Sequence, residues 1–146
     1  MEYQVLVLLH VILAILIIGP AWIGSMIIIP WAFQTGRISV ISSFYRRFYK
    51  TSHAIMAFQL LIGFRLAMIF LPMDEWFTFS TSISLSIILK LLLWIVFFGW
   101  LIVGKRKGLT NPEKVTLPVA KQFFLILSIL GLAMIVTGLN FRLDLF

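Results

Sequence analysis

Six polar or ionisable side chains are the first candidates for chemistry because each interrupts or borders a long apolar stretch. They are His10, Arg65, Lys90, Thr137, Asn140 and Arg142. Charged groups in hydrocarbon are unfavourable, so those that occur there commonly mark a ligand site, an ion pathway or a paired contact. We predict that these six side chains line one polar pocket near the outer ends of the helices that carry them.

His10 is the candidate metal ligand, because a neutral imidazole nitrogen binds transition metals and haem iron. The residues on its helical face include Ala14, Ala21 and Gly24. Small residues mark the faces where membrane helices approach one another, so His10 should face the other helices. It is either a metal or haem ligand or a histidine that forms a hydrogen bond across a helix contact, and the sequence leaves both open.

Three further residues, His53, Met68 and Met134, are weaker candidates. By helical rise, His53 lies roughly 20 Å deeper in the membrane than His10, so one ion or haem iron cannot bind both. We expect His53 at the membrane interface. Methionine sulfur suits Cu(I), but the chain contains no M-x-M or M-x-x-M cluster, and scattered methionines usually serve packing.

The two cations Arg65 and Lys90 allow two interpretations. Beside a histidine they repel a metal ion and favour an anionic group, such as a haem propionate, a carboxylate, a phosphate or a lipid headgroup. Ser86 and Trp94 share a helical face with Lys90. Alternatively, the cations pair with acidic residues at the outer surface and lock the bundle. The available acidic residues are Glu2, Asp74, Glu75 and Asp144.

The composition of the chain places these residues in a membrane. Of its 146 residues, 62% are hydrophobic and 12% are charged, whereas a soluble domain is about half apolar and about a quarter charged. Four stretches, residues 5–30, 52–71, 83–103 and 117–139, are long enough to span hydrocarbon. The sequence therefore predicts an all-α membrane protein with one domain over residues 1–146, a bundle of four transmembrane helices.

The distribution of basic residues predicts the orientation of the bundle. Nine of the twelve lie in or beside the first and third connections: Arg37, Arg46, Arg47, Lys50, Lys105, Arg106, Lys107, Lys114 and Lys121. An excess of lysine and arginine marks the cytoplasmic side. We therefore expect both termini on the outer side, and we exclude nucleic acid as a partner although the net charge is +7.

The first basic connection has a pattern of its own. Between Ile38 and Lys50, apolar residues recur at helical spacing with serine and basic residues between them. This pattern predicts a short interfacial helix in the first cytoplasmic loop that leads into the second span. Its partners would be the lipid bilayer and anionic lipid at the basic loops.

The chain lacks the usual signatures of soluble enzymes. It contains no phosphate-binding loop, no G-x-S-x-G, no H-E-x-x-H and no carboxylate pair within the spans. It also contains no cysteine, which excludes thiolate metal sites. These absences favour a function other than catalysis without deciding it. One further possibility is a structural subunit whose basic loops dock a partner.

Segments throughout the chain resemble small CopD-type membrane proteins, the copper-resistance D family. The carrying segments are LLHVILAILIIGPAWIGSMIIIPWAF, FYRRFYKTSHAIMAFQLLIGFRLA, SIILKLLLWIVFFGW and VTGLNFRLDLF. The resemblance implies a bacterial inner-membrane protein for copper uptake or resistance, with a periplasmic copper-binding partner or a homo-oligomer. His10, Lys90 and Arg142 match the pattern of the family. Short members tend to have further histidines where this chain has Gly19-Pro20-Ala21, Gly99-Trp100 and Lys121-Gln122.

A more distant resemblance is to the HemJ-type protoporphyrinogen oxidases, which are also small four-helix proteins with a histidine in helix one and a lysine in helix three. Their L-P-R motif is replaced here by Ile29-Pro30-Trp31. This resemblance implies the alternative function, a haem- or porphyrin-binding membrane redox protein that is HemJ-like or cytochrome b-like. His10 would then be the axial ligand of haem b, with Arg65 or Lys90 on a propionate.

Overall fold

The computed structural model describes residues 1–143, and the side chains of residues 1–139. This part of the chain is all-helical, and four helices are long and apolar enough to cross a membrane, which confirms the predicted all-α fold with four candidate spans. Helix α1 covers Glu2–Thr35, α2 Ser39–Phe70, α3 Ser82–Arg106 and α4 Leu117–Leu143. One predicted span falls on each helix.

The helices pack in an antiparallel arrangement, as contacts between α1 and its neighbours show. Gly24 lies against Phe124 of α4 whereas Ile18, earlier in α1, lies against Gly131, later in α4. We call the end that carries residue 1 and the α2–α3 connection the terminal end. The end that carries the α1–α2 and α3–α4 connections is the basic end. The structure thus gathers the nine basic residues of those connections at one end.

Helix α1 changes its winding where it packs against Phe124 of α4. It is α-helical over Glu2–Ile23, π-helical over Gly24–Ile28 and α-helical again over Ile29–Thr35. A Cβ atom at Gly24 would lie 2.6 Å from the Phe124 ring, so the absent side chain permits the approach. The helix ends at Gly36, which adopts a left-handed φ of 67°, the usual helix terminator.

Helix α2 is one unbroken helix of 32 residues. The residues predicted as a short interfacial helix form its first turns, so the structure has no break between that segment and the second span. At 1.5 Å per residue the helix is about 48 Å long, which exceeds the roughly 30 Å thickness of hydrocarbon. It stops at Phe70 because Pro72 favours an extended conformation in the preceding Leu71, whose φ is −150°.

The connection between α2 and α3 folds back onto the bundle instead of projecting from it. Trp76 is 1% exposed and stacks on Phe64 of α2, with ring centroids 5.5 Å apart. Its indole N–H donates to the Leu71 carbonyl at 2.9 Å. Helix α3 then begins with a capping box between Thr81 and Ser84. Trp76 forms part of the wall of the space between the helices.

The basic half of the bundle is filled by aromatic side chains. Tyr45 is fully buried, donates its hydroxyl to the Leu101 carbonyl, and meets Phe123 edge to face at 5.3 Å. Trp100 donates from its indole N–H to the Phe123 carbonyl at 3.1 Å. These contacts join α2, α3 and α4 tightly at the basic end. The same three helices leave a large space at the terminal end.

Candidate functional site

A cleft of about 790 Å³ occupies the terminal half of the bundle and is lined by all four helices. Its walls are mainly apolar and aromatic, with Phe64, Ile87 and Phe97 among them, and Trp76 contributes from the α2–α3 connection. Ligand pockets in proteins commonly enclose 300–1,000 Å³, with about this balance of apolar wall and few polar groups. The cleft is therefore large enough for a cofactor-sized molecule and far larger than one metal ion needs.

His10 from α1, Gln59 from α2 and Lys90 from α3 line this cleft, and so does Tyr3 at the start of α1. They come from three helices that the antiparallel packing brings to the same level. Lys90 and Trp94 line it together, in agreement with their spacing on one face of α3. The sequence predicts His10 and Lys90 as site residues, but it does not single out Gln59.

Gln59 forms a hydrogen bond with His10. The amide nitrogen of Gln59 lies 3.1 Å from His10 Nε2, so the amide donates and the imidazole accepts. A neutral imidazole then carries its proton on Nδ1. His10 Nδ1 and Gln59 Oε1 are both buried and have no hydrogen-bond partner among the described residues. Half a turn of the amide exchanges these roles, since Nε2–H would then donate to Oε1 and leave Nδ1 as a bare acceptor.

Gly63 forms the floor beneath the His10 ring. A Cβ atom at this position would lie 3.4 Å from His10 Cε1 and 3.9 Å from Nδ1. The imidazole therefore lies against the backbone of α2, with Nδ1 near Gly63 and Nε2 hydrogen-bonded to Gln59. A metal ion or haem iron reaches His10 only after the ring rotates or Gln59 releases it.

Two indole groups add hydrogen-bond donors to the walls. Trp22 and Trp94 line the cleft, and the Nε1 atom of each is buried without a hydrogen-bond partner among the described residues. Trp94 also stacks on Phe98 in a nearly parallel arrangement, with centroids 5.5 Å apart. Together with the Lys90 ammonium, these donors suit a ligand that carries acceptor or anionic oxygen atoms.

The structure places Arg65 outside the cleft, which corrects the prediction that it joins His10 in one pocket. Its guanidinium pairs with Glu2, with Nε and the terminal nitrogen 2.8 Å and 2.7 Å from Oε1. The two side chains are 52% and 62% exposed. Arg65 instead forms an ion pair that joins two helices at the surface, which is the second of the two interpretations that the sequence allows.

Some of the remaining candidates line the cleft and others do not. The Thr137 hydroxyl donates within α4, to the carbonyls of Ala133 and Met134 at 3.0 Å and 3.1 Å, and the residue does not line the cleft. Met134 lines it, as does Met56, whereas Met68 is 42% exposed on the outside of the bundle. The side chains of Asn140 and Arg142 lie outside the described residues.

His53 does not line the cleft and precedes its α2 lining residues, which begin at Met56. Its Nδ1 donates to the Tyr49 carbonyl at 2.6 Å, and its ring packs between those of Tyr49 and Phe98. The two histidines therefore do not share one site, since only His10 lines the cleft. Within the described residues, no three histidine, cysteine or acidic side chains are grouped so that they could hold a metal ion.

Comparisons of the chain with protein families, curated proteins and solved structures found no match. The chemistry of the cleft is therefore the basis on which a function can be assigned.

Proposed function

We propose that this protein is a multi-pass protein of the bacterial inner membrane whose outer-half cleft binds haem b or a related tetrapyrrole. The observation that carries the proposal is the coincidence of three properties in one space. The cleft has cofactor size, its walls are aromatic and apolar, and its polar groups include an imidazole and an ammonium. A tetrapyrrole is flat, apolar and anionic at one edge, so it matches each of these properties.

The orientation follows from the charges at the two ends. The basic end carries nine of the twelve lysine and arginine residues, and such an excess marks the cytoplasmic side. Both termini then lie outside, and the cleft opens in the outer half of the membrane. The first turns of α2, in excess of the length that hydrocarbon requires, lie at the inner surface, where their basic residues meet anionic lipid.

The roles of the cleft residues in this proposal are distinct. Lys90 pairs with a propionate. Arg65 does not take this role, because it is paired with Glu2 at the surface. The indoles of Trp22 and Trp94 lie along the apolar ring. His10 would hold the haem iron once Gln59 gives up its hydrogen bond, so ligand binding would be coupled to a rearrangement of the His10–Gln59 contact.

An absorption titration tests this proposal. Haem b added to protein purified in mild detergent should produce a saturable Soret band. His10→Ala should shift that band because the axial ligand is lost, and Lys90→Met should weaken binding. His53→Ala is the matched control, since it removes the other histidine of the chain, which lies outside the cleft, and it should behave as wild type. A titration without a saturable Soret band, or an equal effect of the two histidine variants, rejects the proposal.

Copper handling, which the CopD resemblance implies, is the second candidate function. The observation that favours it is that Met56 and Met134 line the same cleft as His10, and thioether with imidazole is a donor set suited to Cu(I). Met134→Leu should then weaken Cu(I) binding, whereas Met68→Leu on the exposed face should not. Purified protein that retains no Cu(I) against a competing chelator would exclude this candidate.

A further inference from the structure

A second cavity, of about 250 Å³, lies between α1 and α2 toward the basic end. Leu16 and Pro20 form its α1 side, and Phe44, Arg47 and Ser52 belong to its α2 side. Among the described residues, the linings of this cavity and of the large cleft do not overlap. It is therefore a separate site that the proposed function does not use.

The polar groups of this small cavity are incompletely satisfied within the protein. Ser52 is 1% exposed, yet its hydroxyl has no hydrogen-bond partner among the described residues. Buried hydroxyl groups are nearly always hydrogen-bonded. The Arg47 side chain is exposed at the rim of the cavity, where it can carry a positive charge to a ligand. Pro20 has no N–H to donate to the Leu16 carbonyl, which leaves a further polar atom in the wall without its usual helical partner.

The depth of this cavity matches a membrane boundary. Arg47 and Ser52 precede Phe70, the last residue of α2, by 23 and 18 residues, which are distances of roughly 35 Å and 27 Å along the helix. The hydrocarbon layer is roughly 30 Å thick. If the terminal end of α2 lies at one boundary, the cavity lies at the other, where phosphate groups meet the hydrocarbon. An arginine at the rim and apolar walls below it fit that position.

We infer that this cavity binds the phosphate group of a membrane glycerophospholipid. Arg47 pairs with the phosphate, the Ser52 hydroxyl donates to a phosphate or ester oxygen, and the first carbon atoms of an acyl chain lie along Leu16 and Phe44. The inference is independent of the ligand in the large cleft. It assigns a defined site to lipid recognition in place of a general attraction to basic loops.

Native mass spectrometry of the purified chain in detergent tests this inference, with phosphatidylglycerol as the probe. Arg47→Gln should weaken binding by about tenfold, and Ser52→Ala by about threefold, as expected when a charge-assisted or a neutral hydrogen bond is lost. Arg46→Gln is the matched control, since Arg46 is the adjacent arginine but does not line the cavity, and it should bind nearly as wild type. Ser52→Ala carries the test if Arg47→Gln does not fold.

Two further probes separate the sources of the phosphate. Diacylglycerol with the same acyl chains should not bind, and inorganic phosphate should not displace the lipid. Equal losses in Arg47→Gln and Arg46→Gln would show unspecific attraction to the basic surface and overturn the inference. Unchanged binding in Ser52→Ala, tight binding of diacylglycerol, or displacement by inorganic phosphate would also overturn it.

Discussion

Gly104→Ala tests the tight packing of the basic half of the bundle. The cleft lies in the terminal half. A Cβ atom at Gly104 would lie 2.5 Å from Phe123 Cε2 and 2.8 Å from the Tyr45 hydroxyl oxygen. Both rings are buried, so neither can move without disturbing its own neighbours. Overpacking of this kind destabilises by about 1–3 kcal/mol.

Gly99→Ala is the matched control on the same helix, because a Cβ atom there would meet none of the described atoms within 4 Å. Replacement of a helical glycine by alanine gains about 1 kcal/mol when space is free. Gly104 lies in the same helix and gains the same amount, so the two variants should differ in free energy of unfolding by the overpacking term alone, about 1–3 kcal/mol, with Gly99→Ala the more stable. Circular dichroism during unfolding in mixed detergent measures this difference. A Gly104→Ala protein as stable as Gly99→Ala would refute the described approach of α3 and α4.

Two further changes test the His10 contact and the orientation. Gln59→Leu should reduce the free energy of unfolding by about 1–3 kcal/mol, because His10 loses its partner in a buried position; detergent unfolding of the ligand-free protein measures this, and no loss would contradict the hydrogen bond. The chain has no cysteine, so single cysteines report topology. In intact cells, a membrane-impermeant maleimide should label Thr78→Cys and spare Glu113→Cys, and the reverse pattern would invert the proposed orientation.

The four helices could be predicted from the sequence because apolar stretches long enough to span hydrocarbon are rarely anything other than membrane helices. It could also be predicted that Lys90 and Trp94 line the same cleft, since residues four apart share a helical face. In each case the signal is local to one helix. Neither inference requires knowledge of how the helices are rotated against each other.

Arg65 and Gln59 show where the sequence is insufficient. Arg65 follows Gln59 by six residues, which rotates its side chain by about 240° around α2, so the two cannot face the same cleft. Which of these faces meets α1 depends on packing contacts such as the one between Gly63 and His10. A single polar amide within an apolar span is the signal that could have identified Gln59, and its spacing of four from Gly63 places both residues beside His10.

Side chains that fill the cleft at the terminal end test whether a ligand binds there. Gly19 and Gly138 line the cleft, and a Cβ atom at either position would meet none of the described atoms within 4 Å. Gly138→Leu and Gly19→Leu should therefore fold yet weaken haem b binding in the absorption titration, although His10 and Lys90 are unchanged. Gly99→Leu, which has similar space outside the cleft, should bind haem as wild type does. Wild-type haem affinity in both cleft-filling variants would show that haem does not bind in the cleft.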